Sequence, residues 1–428
     1  MNLDSYRGAS FVFRAASNRT LRASAVHPLR LSHFRNYWLG ATISLFGDQF
    51  YLVALPWLVL QLTGSSLALG TILMSAAVPR TVLMLMGGFA SDRWSPRRIL
   101  IGTASARALF VAAIAALTFI HAIRIWHIYL LACAFGIADA FSFPALQALV
   151  PRIVSPDQLP AANSAIQGSA QASTMLGPAP AGIVVKSWGI AQAFFVDAFS
   201  FLFVIVALFR MPEPVSTAAP AEPDPLGRQP QMSQAILEGF RYVLADPQVR
   251  ILMLLSAVVN LCLTGPILVG LATVAKFVLA SSTAFGIWFS SYSGGALLGT
   301  ILAGFFKRPR KRGILLLSVA VGLGLGLVSI GMSHTIVGVA VILALMGLGS
   351  GFVNITVLAW LQSRIERRLL GRAMSLLMFA AVGLAPLSYA VAGAVAQIYL
   401  QAMFLAAGML MILVAAIGLM NRAARSID

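Results

Sequence analysis

Gly87-Gly88-Phe89-Ala90-Ser91-Asp92-Arg93-Trp94-Ser95-Pro96-Arg97-Arg98 sets one acid and three arginines into a short turn between two long apolar runs. Those runs, approximately 66–91 and 97–120, are long enough for a helix to cross a hydrocarbon core, which needs about 20 residues. In lipid the backbone must satisfy its own hydrogen bonds, so such runs are helical. The quoted stretch is therefore the turn of a membrane-embedded helical hairpin, held at an aqueous surface by its charges.

Outward from this turn the pattern repeats. Twelve apolar runs are read, at approximately 37–61, 66–91, 97–120, 127–150, 159–186, 190–210, 250–279, 283–306, 313–332, 335–362, 371–397 and 400–421. They contain Pro56, Pro79, Pro144, Pro178, Pro266 and Pro386, which membrane helices tolerate because neighbouring groups satisfy the freed carbonyls. Of the 428 residues 59% are hydrophobic and 10% charged, against roughly 25% charged in a soluble domain. The solvent of this chain is mostly lipid. A net charge of +17 would suit nucleic acid, but it is divided among short loops between spans, which argues against that partner and for cytoplasmic loops.

The positive loops alternate with nearly neutral ones. Arginines crowd the N-terminal tail (Arg7, Arg14, Arg19, Arg22, Arg30, Arg35) and the quoted turn. Lys307, Arg308, Arg310, Lys311 and Arg312 fill the eighth loop, and Arg364, Arg367, Arg368 and Arg372 the tenth. Arg422 and Arg425 follow the last span, whereas the intervening loops hold only Arg124, Lys186 and Lys276. This predicts a multi-pass membrane protein with both termini cytoplasmic. The predicted organisation is a cytoplasmic tail over 1–36, a six-helix bundle over 37–210, a cytoplasmic linker with an interfacial helix over 211–249, a second six-helix bundle over 250–421 and a tail over 422–428. The N-terminal tail has the composition of a transit peptide but is read as a cytoplasmic tail. Within the linker, Met232, Ile236, Leu237, Phe240, Val243 and Leu244 share one helical face, which lies in the membrane interface or packs on the loops of the bundle.

Cys133 and Cys262 form no CxxC pair, the histidines show no zinc spacing, and no Gly-x4-Gly-Lys-Ser/Thr motif is present. No metal, cofactor, ATPase or enzyme constellation is expected. The chain does repeat itself. A constant shift brings Gly136, Phe141, Ala148, Ser164 and Gly182 onto Gly347, Phe352, Ala359, Ser375 and Gly393. A slightly larger one brings Ser66, Gly70, Ser75, Gly88 and Phe89 onto Ser282, Gly286, Ser291, Gly304 and Phe305. Two six-helix repeats are a transporter architecture with the substrate site between them. Under the pairing Asp48 falls on Asn260, Asp139 on Ser350 and Arg80 on Ala296, so the intramembrane charges belong to the first half alone.

The quoted turn, Gly88-x3-Asp92-Arg93-x3-Arg97-Arg98, resembles the signature loop of the major facilitator superfamily. "LFGDQFYLVALPWLVLQLTGS", "PALQALVPRIVSPDQLPAANSA", "FFVDAFSFL" and "LLGRAMSLLMFAAVGLAPL" look like its bacterial efflux branch, which includes the enterobactin exporter and macrolide efflux proteins. Ser95 stands where the family has glycine, and Pro96 displaces the basic pair by one position. The resemblance implies an all-α fold of two pseudo-symmetric six-helix bundles in a bacterial inner membrane, and a monomer is expected. It also implies that Asp92 engages the cytoplasmic start of span eleven, marked by Gly371 and Arg372, with Arg152 as another partner. Arg93, Arg97 and Arg98 complete this cytoplasmic gate or simply hold the loop inside.

Asp48, Arg80, Arg107 and Asp139 lie mid-span, where an ionisable group costs at least about 2.5 kcal/mol and needs a partner or a wet cavity. They can cancel as ion pairs. Alternatively Asp48, in a span that lines the central cavity of this superfamily, carries protons, with Asp139 assisting. Asp197, in a span peripheral in the family, is expected to pair structurally. Span five carries the polar stripe Asn163, Gln167, Gln171 and Thr174, then Gly177, Pro178 and Gly182, which resemble the family's antiporter motif or serve close packing. The opposite wall of the cavity is expected from Asn260, Trp288, Tyr292, Asn354, Met374, Met378 and Phe379. The reading is a secondary transporter that exports amphipathic, drug-like small molecules in exchange for protons. The alternative is dedicated export of one metabolite, such as a siderophore or lipid-like molecule. A non-transporting membrane enzyme or sensor is the remote alternative, without a catalytic constellation to support it.

Overall fold

Gly64 takes a left-handed conformation (φ 63°), which ends the first helix and turns the chain, and the Ser65 side chain then accepts a hydrogen bond from Ala68 N to open the second. Similar punctuation divides the whole chain into antiparallel helices. The computed structural model describes residues 27–212, 246–305, 311–333, 335–364 and 383–425, apart from the side chains of Leu85, Asp92, Ser363 and Ala423. The helices of the first half are α1 (Ser32–Thr63), α2 (Ser66–Arg93), α3 (Pro96–Phe119), α4 (Ile125–Ile153), α5 (Leu159–Leu176), α6 (Pro178–Ser187) and α7 (Ile190–Phe209). Those of the second are α8 (Pro247–Val278), α9 (Ser282–Phe305), α10 (Arg312–Met332), α11 (Ile336–Arg364), α12 (Ala385–Ile398) and α13 (Leu400–Met420). Most of the linker, including Met232–Leu244, and the first part of span eleven lie outside the described residues.

Among the described residues nine helices are long and apolar enough to cross a membrane. The remaining three spans have physical reasons for falling short. Span five is divided at Gly177 into α5 and α6. α9 is diluted by Ser290, Ser291, Ser293, Gly294 and Gly295, and α12 is the described part of span eleven. Pro56, Pro79 and Pro144 sit inside α1, α2 and α4 as expected. Pro178 and Pro386 instead occupy first turns, where a missing N–H costs nothing, and Pro266 opens a π-helical segment of α8.

The repeat is visible in the packing. In the first half α2 lies on α4, α1 on α7, and α3 against both α4 and α7. In the second, α9 lies on α11, α8 on α13, and α10 against both α11 and α13. Single contacts obey the same relation. Gly136 meets the Ala76 carbonyl, and its counterpart Gly347 meets that of Tyr292, so closely that neither position has room for a Cβ.

The halves meet along α2–α12 and along α5 and α6 against α9. Gly70 touches the Tyr389 carbonyl and Gly393 that of Ser66. On the other side Gly286 touches the Pro178 carbonyl and Gly182 that of Ser282, the same contacts under the repeat. Arg93, Arg97, Arg152, Arg210, Arg250, Arg312, Arg364 and Arg422 lie at one end of the helices, here the basic end. Polar contacts between halves cluster at the other end: Ser65 Oγ to Gln397 Oε1 (2.9 Å), Ser66 Oγ to Thr273 Oγ1 (3.1 Å) and Lys276 Nζ to Gln61 Oε1 (3.3 Å). Lys276 also stands 4.4 Å over the Trp57 ring. Gln171 Nε2 also reaches Ser293 O (3.1 Å) near mid-span. These contacts clamp the halves together at the end opposite the arginines.

Candidate functional site

The four mid-span charges come together. Arg107 of α3 donates from Nη2 to Asp48 Oδ1 of α1 at 2.7 Å, and its Nη1 lies 3.8 Å from Asp139 Oδ1 of α4. Arg80 of α2 reaches Asp139 Oδ2 at 3.4 Å. Phe135 and Phe201 flank the Arg107 guanidinium, 4.5 and 4.7 Å from its carbon to their ring centroids, and Tyr51 stacks on Phe135 at 4.8 Å. Aromatic faces and two carboxylates make a site for a buried cation. The Asp48 and Asp139 side chains stay 27% and 28% accessible and that of Arg80 47%, so the cluster is not sealed. Arg80 also lies within electrostatic reach of Tyr389 on α12, across the divide between halves.

Asp197 departs from expectation. It is 0% exposed, yet neither carboxylate oxygen has a hydrogen-bond partner. Its Oδ1 lies against Gly47 of α1, next in the chain to Asp48. No structural pairing is present. The peripheral position of span six concealed that α7 packs its Asp197–Phe201 face straight onto the charged stretch of α1.

The antiporter-like motif packs against both α1 and α9. Gly177 is pressed by the Gln49 side chain, Pro178 offers its carbonyl to Gly286, and Gly182 accepts a hydrogen bond from Ser282 Oγ at 2.9 Å. The stripe of α5 divides. Asn163 and Gln167, toward the basic end, are exposed, whereas Gln171 bridges to Ser293 and Thr174 Oγ1 donates to the Gln171 carbonyl (3.0 Å). Of the expected opposite wall, Asn354 is exposed, Asn260 donates to the Ser256 carbonyl (2.9 Å), and Tyr292 donates to Ser350 Oγ (3.1 Å). Trp288 does not belong to that wall. It is fully buried, and its indole N–H binds the Ile336 carbonyl at 2.9 Å, making it a core residue between α9 and α11. Met374, Met378 and Phe379 lie outside the described residues.

At the basic end Arg97 donates from Nε to the Leu208 carbonyl (2.7 Å) and from Nη2 to that of Phe209 (3.0 Å), closing the terminus of α7. Arg93 stacks over Phe89 at 4.3 Å. Arg93 and Arg98 line a cavity of about 500 Å³ with Trp94, Thr103 and Phe141. Arg152 ends α4 at the same level. The glycine that lets α2 approach α4 is Gly87, which abuts the Ala140 carbonyl; a Cβ at Gly88 would meet nothing. The Asp92 side chain, Gly371 and Arg372 lie outside the described residues.

The chain is similar to known proteins. Macrolide efflux protein A of Streptococcus pyogenes is 25% identical over 361 residues, covering 80% of this chain and 84% of the relative. Multidrug efflux pump Tap of Mycolicibacterium fortuitum is 26% identical over 418 residues, covering 94% and 97%. Enterobactin exporter EntS of Escherichia coli O139:H28 is 23% identical over 340 residues, 79% of each chain. A crystal structure of nucleoside transporter NupG superimposes with a TM-score of 0.73 at 13% identity, over 90% of this chain and 98% of that one, which shows the fold. Long apolar helices whose packing repeats in two halves, a mid-span charge cluster in one half and a match of residues 37–388 to the family as a whole converge: the chain belongs to the Major Facilitator Superfamily of membrane transporters.

Proposed function

We propose that this transporter exports amphipathic, drug-like molecules across a bacterial inner membrane in exchange for protons. The observation that carries the reading is the Asp48–Arg107–Asp139–Arg80 cluster, mid-span and partly accessible. An acid in such a cluster is balanced between burial, which favours its neutral form, and arginine, which favours its anion. Asp48 takes a proton from one side and releases it to the other. Exchange then rests on linkage, because protonation changes the relative stability of the two accessible states.

With the basic end in the cytoplasm, the side that positive loops favour, the clamp at the opposite end would leave the cluster facing inward. The exposed Asn163, Gln167 and Asn354 would meet substrate entering from that side. In the other state Asp92 would latch the basic end against the start of span eleven, at Gly371 and Arg372. A carboxylate near a helix N-terminus gains typically about 0.3–1 kcal/mol, enough to bias a balanced pair of states. No metal or cofactor enters this scheme, and the chain acts as a monomer. The efflux relatives support export as the direction.

The reading is tested in a host stripped of its own pumps. Wild type should protect against macrolides and cationic dyes, and Asp48→Asn at matched membrane expression should not. Protection that survives the substitution removes Asp48 as the coupling residue. A second reading, dedicated export of one anionic metabolite such as a siderophore, is favoured by the half-exposed Arg80 guanidinium. It predicts no protection against any of these compounds.

A further inference from the structure

The charge cluster of the first half contains three acids, Asp48, Asp139 and Asp197, but two arginines, Arg80 and Arg107. Both arginines are committed to Asp48 and Asp139. Asp197 has neither an ion pair nor a hydrogen bond, and no surface open to solvent. The groups facing it are few. From α1 come Asp48 and Tyr51, from α3 Arg107, and from α4 Asp139 behind Arg107. α6 brings only Lys186, which is exposed at the far end, and Arg97 of α3 is spent on the terminus of α7. An ionised carboxylate so placed would stand unpaired in apolar surroundings beside a second carboxylate, which is among the costliest arrangements a protein can hold. One proton on Asp197 neutralises both Asp197 and the whole cluster.

We propose that Asp197 is a second proton-binding site of the transport cycle, neutral in the conformation described here and a competitor of Asp48 for Arg107 once its proton leaves. This rests on the proton-exchange reading above. The geometry supplies the coupling. Gly47 and Gly40 pack directly on α7, with no room for a Cβ at either, so Asp197 is sealed while α1 and α7 stay together. Arg107 Nε is buried without an acceptor, so the guanidinium has an unused edge to offer a third carboxylate. When α1 and α7 part, the O–H bond of Asp197 breaks, and its proton passes to Asp48, directly or by way of water. The new anion draws Arg107, which keeps all its own protons, and Asp48 is left free to hold one. The cluster stays neutral in both states, with its single proton moved from α7 to α1.

The test uses the full chain in lipid nanodiscs and the infrared carbonyl stretch of protonated carboxyls. Wild type should show such a band near neutral pH. Asp197→Asn, which mimics the neutral acid and loses no partner, should remove it, and Asp48→Asn, which frees Arg107 for Asp197, should weaken it. A wild type without the band, or an Asp197→Asn protein that keeps it, overturns the proposal; Asp197→Ser substitutes should the first variant not assemble. In proteoliposomes Asp197→Asn should lose ethidium transport driven by a pH gradient while retaining ethidium exchange without one, which a merely structural residue would not separate. Gradient-driven transport equal to wild type overturns the role of Asp197 alone. A wild type indifferent to the gradient overturns proton exchange for the chain, and with it the cycle role, whatever the band shows.

Discussion

The two halves of this transporter share a backbone plan and differ in charge. Gly182 on Ser282 is repeated as Gly393 on Ser66, and Gly286 on Pro178 as Gly70 on Tyr389. Where the first half places Arg80, Asp139 and Asp48, however, the second has Ala296, Ser350 and Asn260. Ser350 accepts a neutral hydrogen bond from Tyr292, whereas Asp139 receives two arginines. The close contacts recur at both seams between the halves, whereas the mid-span ion-pair cluster lies in the first half alone among the described residues.

The difference breaks most sharply at Arg107. Arg107→Ala leaves Asp48 and Asp139 without their shared cation, and removing one partner of a buried pair typically costs about 3–5 kcal/mol. A large drop in thermal midpoint of the purified protein is expected. The double variant Asp48→Asn, Arg107→Gln should recover much of that midpoint without restoring transport. A midpoint near wild type for Arg107→Ala would mean that the cluster is not a unit.

The shared plan is tested at the seams. Gly182→Val and Gly393→Val each force a side chain into a neighbouring carbonyl, at an overpacking cost of typically 1–3 kcal/mol. Both should weaken the clamp and increase thiol labelling of Ser65→Cys beside it. If only one of the two has this effect, the seams are not equivalent, and the symmetry is one of shape alone.

Much of this was legible in the residues. The repeat rests on residues at a steady shift, and three of its pairs, Gly136 with Gly347, Gly182 with Gly393 and Gly70 with Gly286, are glycines at which backbones touch. Those contacts have no room for a Cβ, so the pattern carried a packing reason. The cluster of Asp48, Arg80, Arg107 and Asp139 was visible because lipid makes every mid-span charge demand a partner. Which pairs form was not legible, since helix spacing fixes the height of a residue but not its neighbour across a bundle. Asp197 and Trp288 were misread for that reason.

A smaller effect is expected where the second half replaces charge by a hydroxyl. Tyr292→Phe removes the hydrogen bond to Ser350, at a cost of about 0.5–1.5 kcal/mol. A modest fall in midpoint, well below that of Arg107→Ala, sharpens the contrast between halves. A fall as large would show that the neutral pair is as deeply built in as the ionic cluster.

The smallest effect concerns how each half fastens its basic end. Arg97 binds the terminal carbonyls of α7, groups that do not titrate. Arg364 instead binds Asp246 Oδ2 at 2.9 Å, and Asp246 Oδ1 accepts from Gln248 N to cap α8. Burial pushes the Asp246 carboxyl up, but the hydrogen bonds from Arg364 and the backbone, with the arginine charge, outweigh it and hold the group below the usual carboxylate range. A depressed folded value means that the stabilisation is present above the unfolded value, about 3.9, and is lost as pH falls through the folded one. The Arg364 side chain is 39% accessible, so solvent screens the pair, and its share is only about 0.2–1 kcal/mol. Wild type should therefore lose slightly more stability than Asp246→Asn below roughly pH 4, while Arg97→Gln should lower the midpoint by the same amount at every pH. A pH-dependent difference at Arg97 instead would mean that its end of the first half, too, is fastened through a carboxylate.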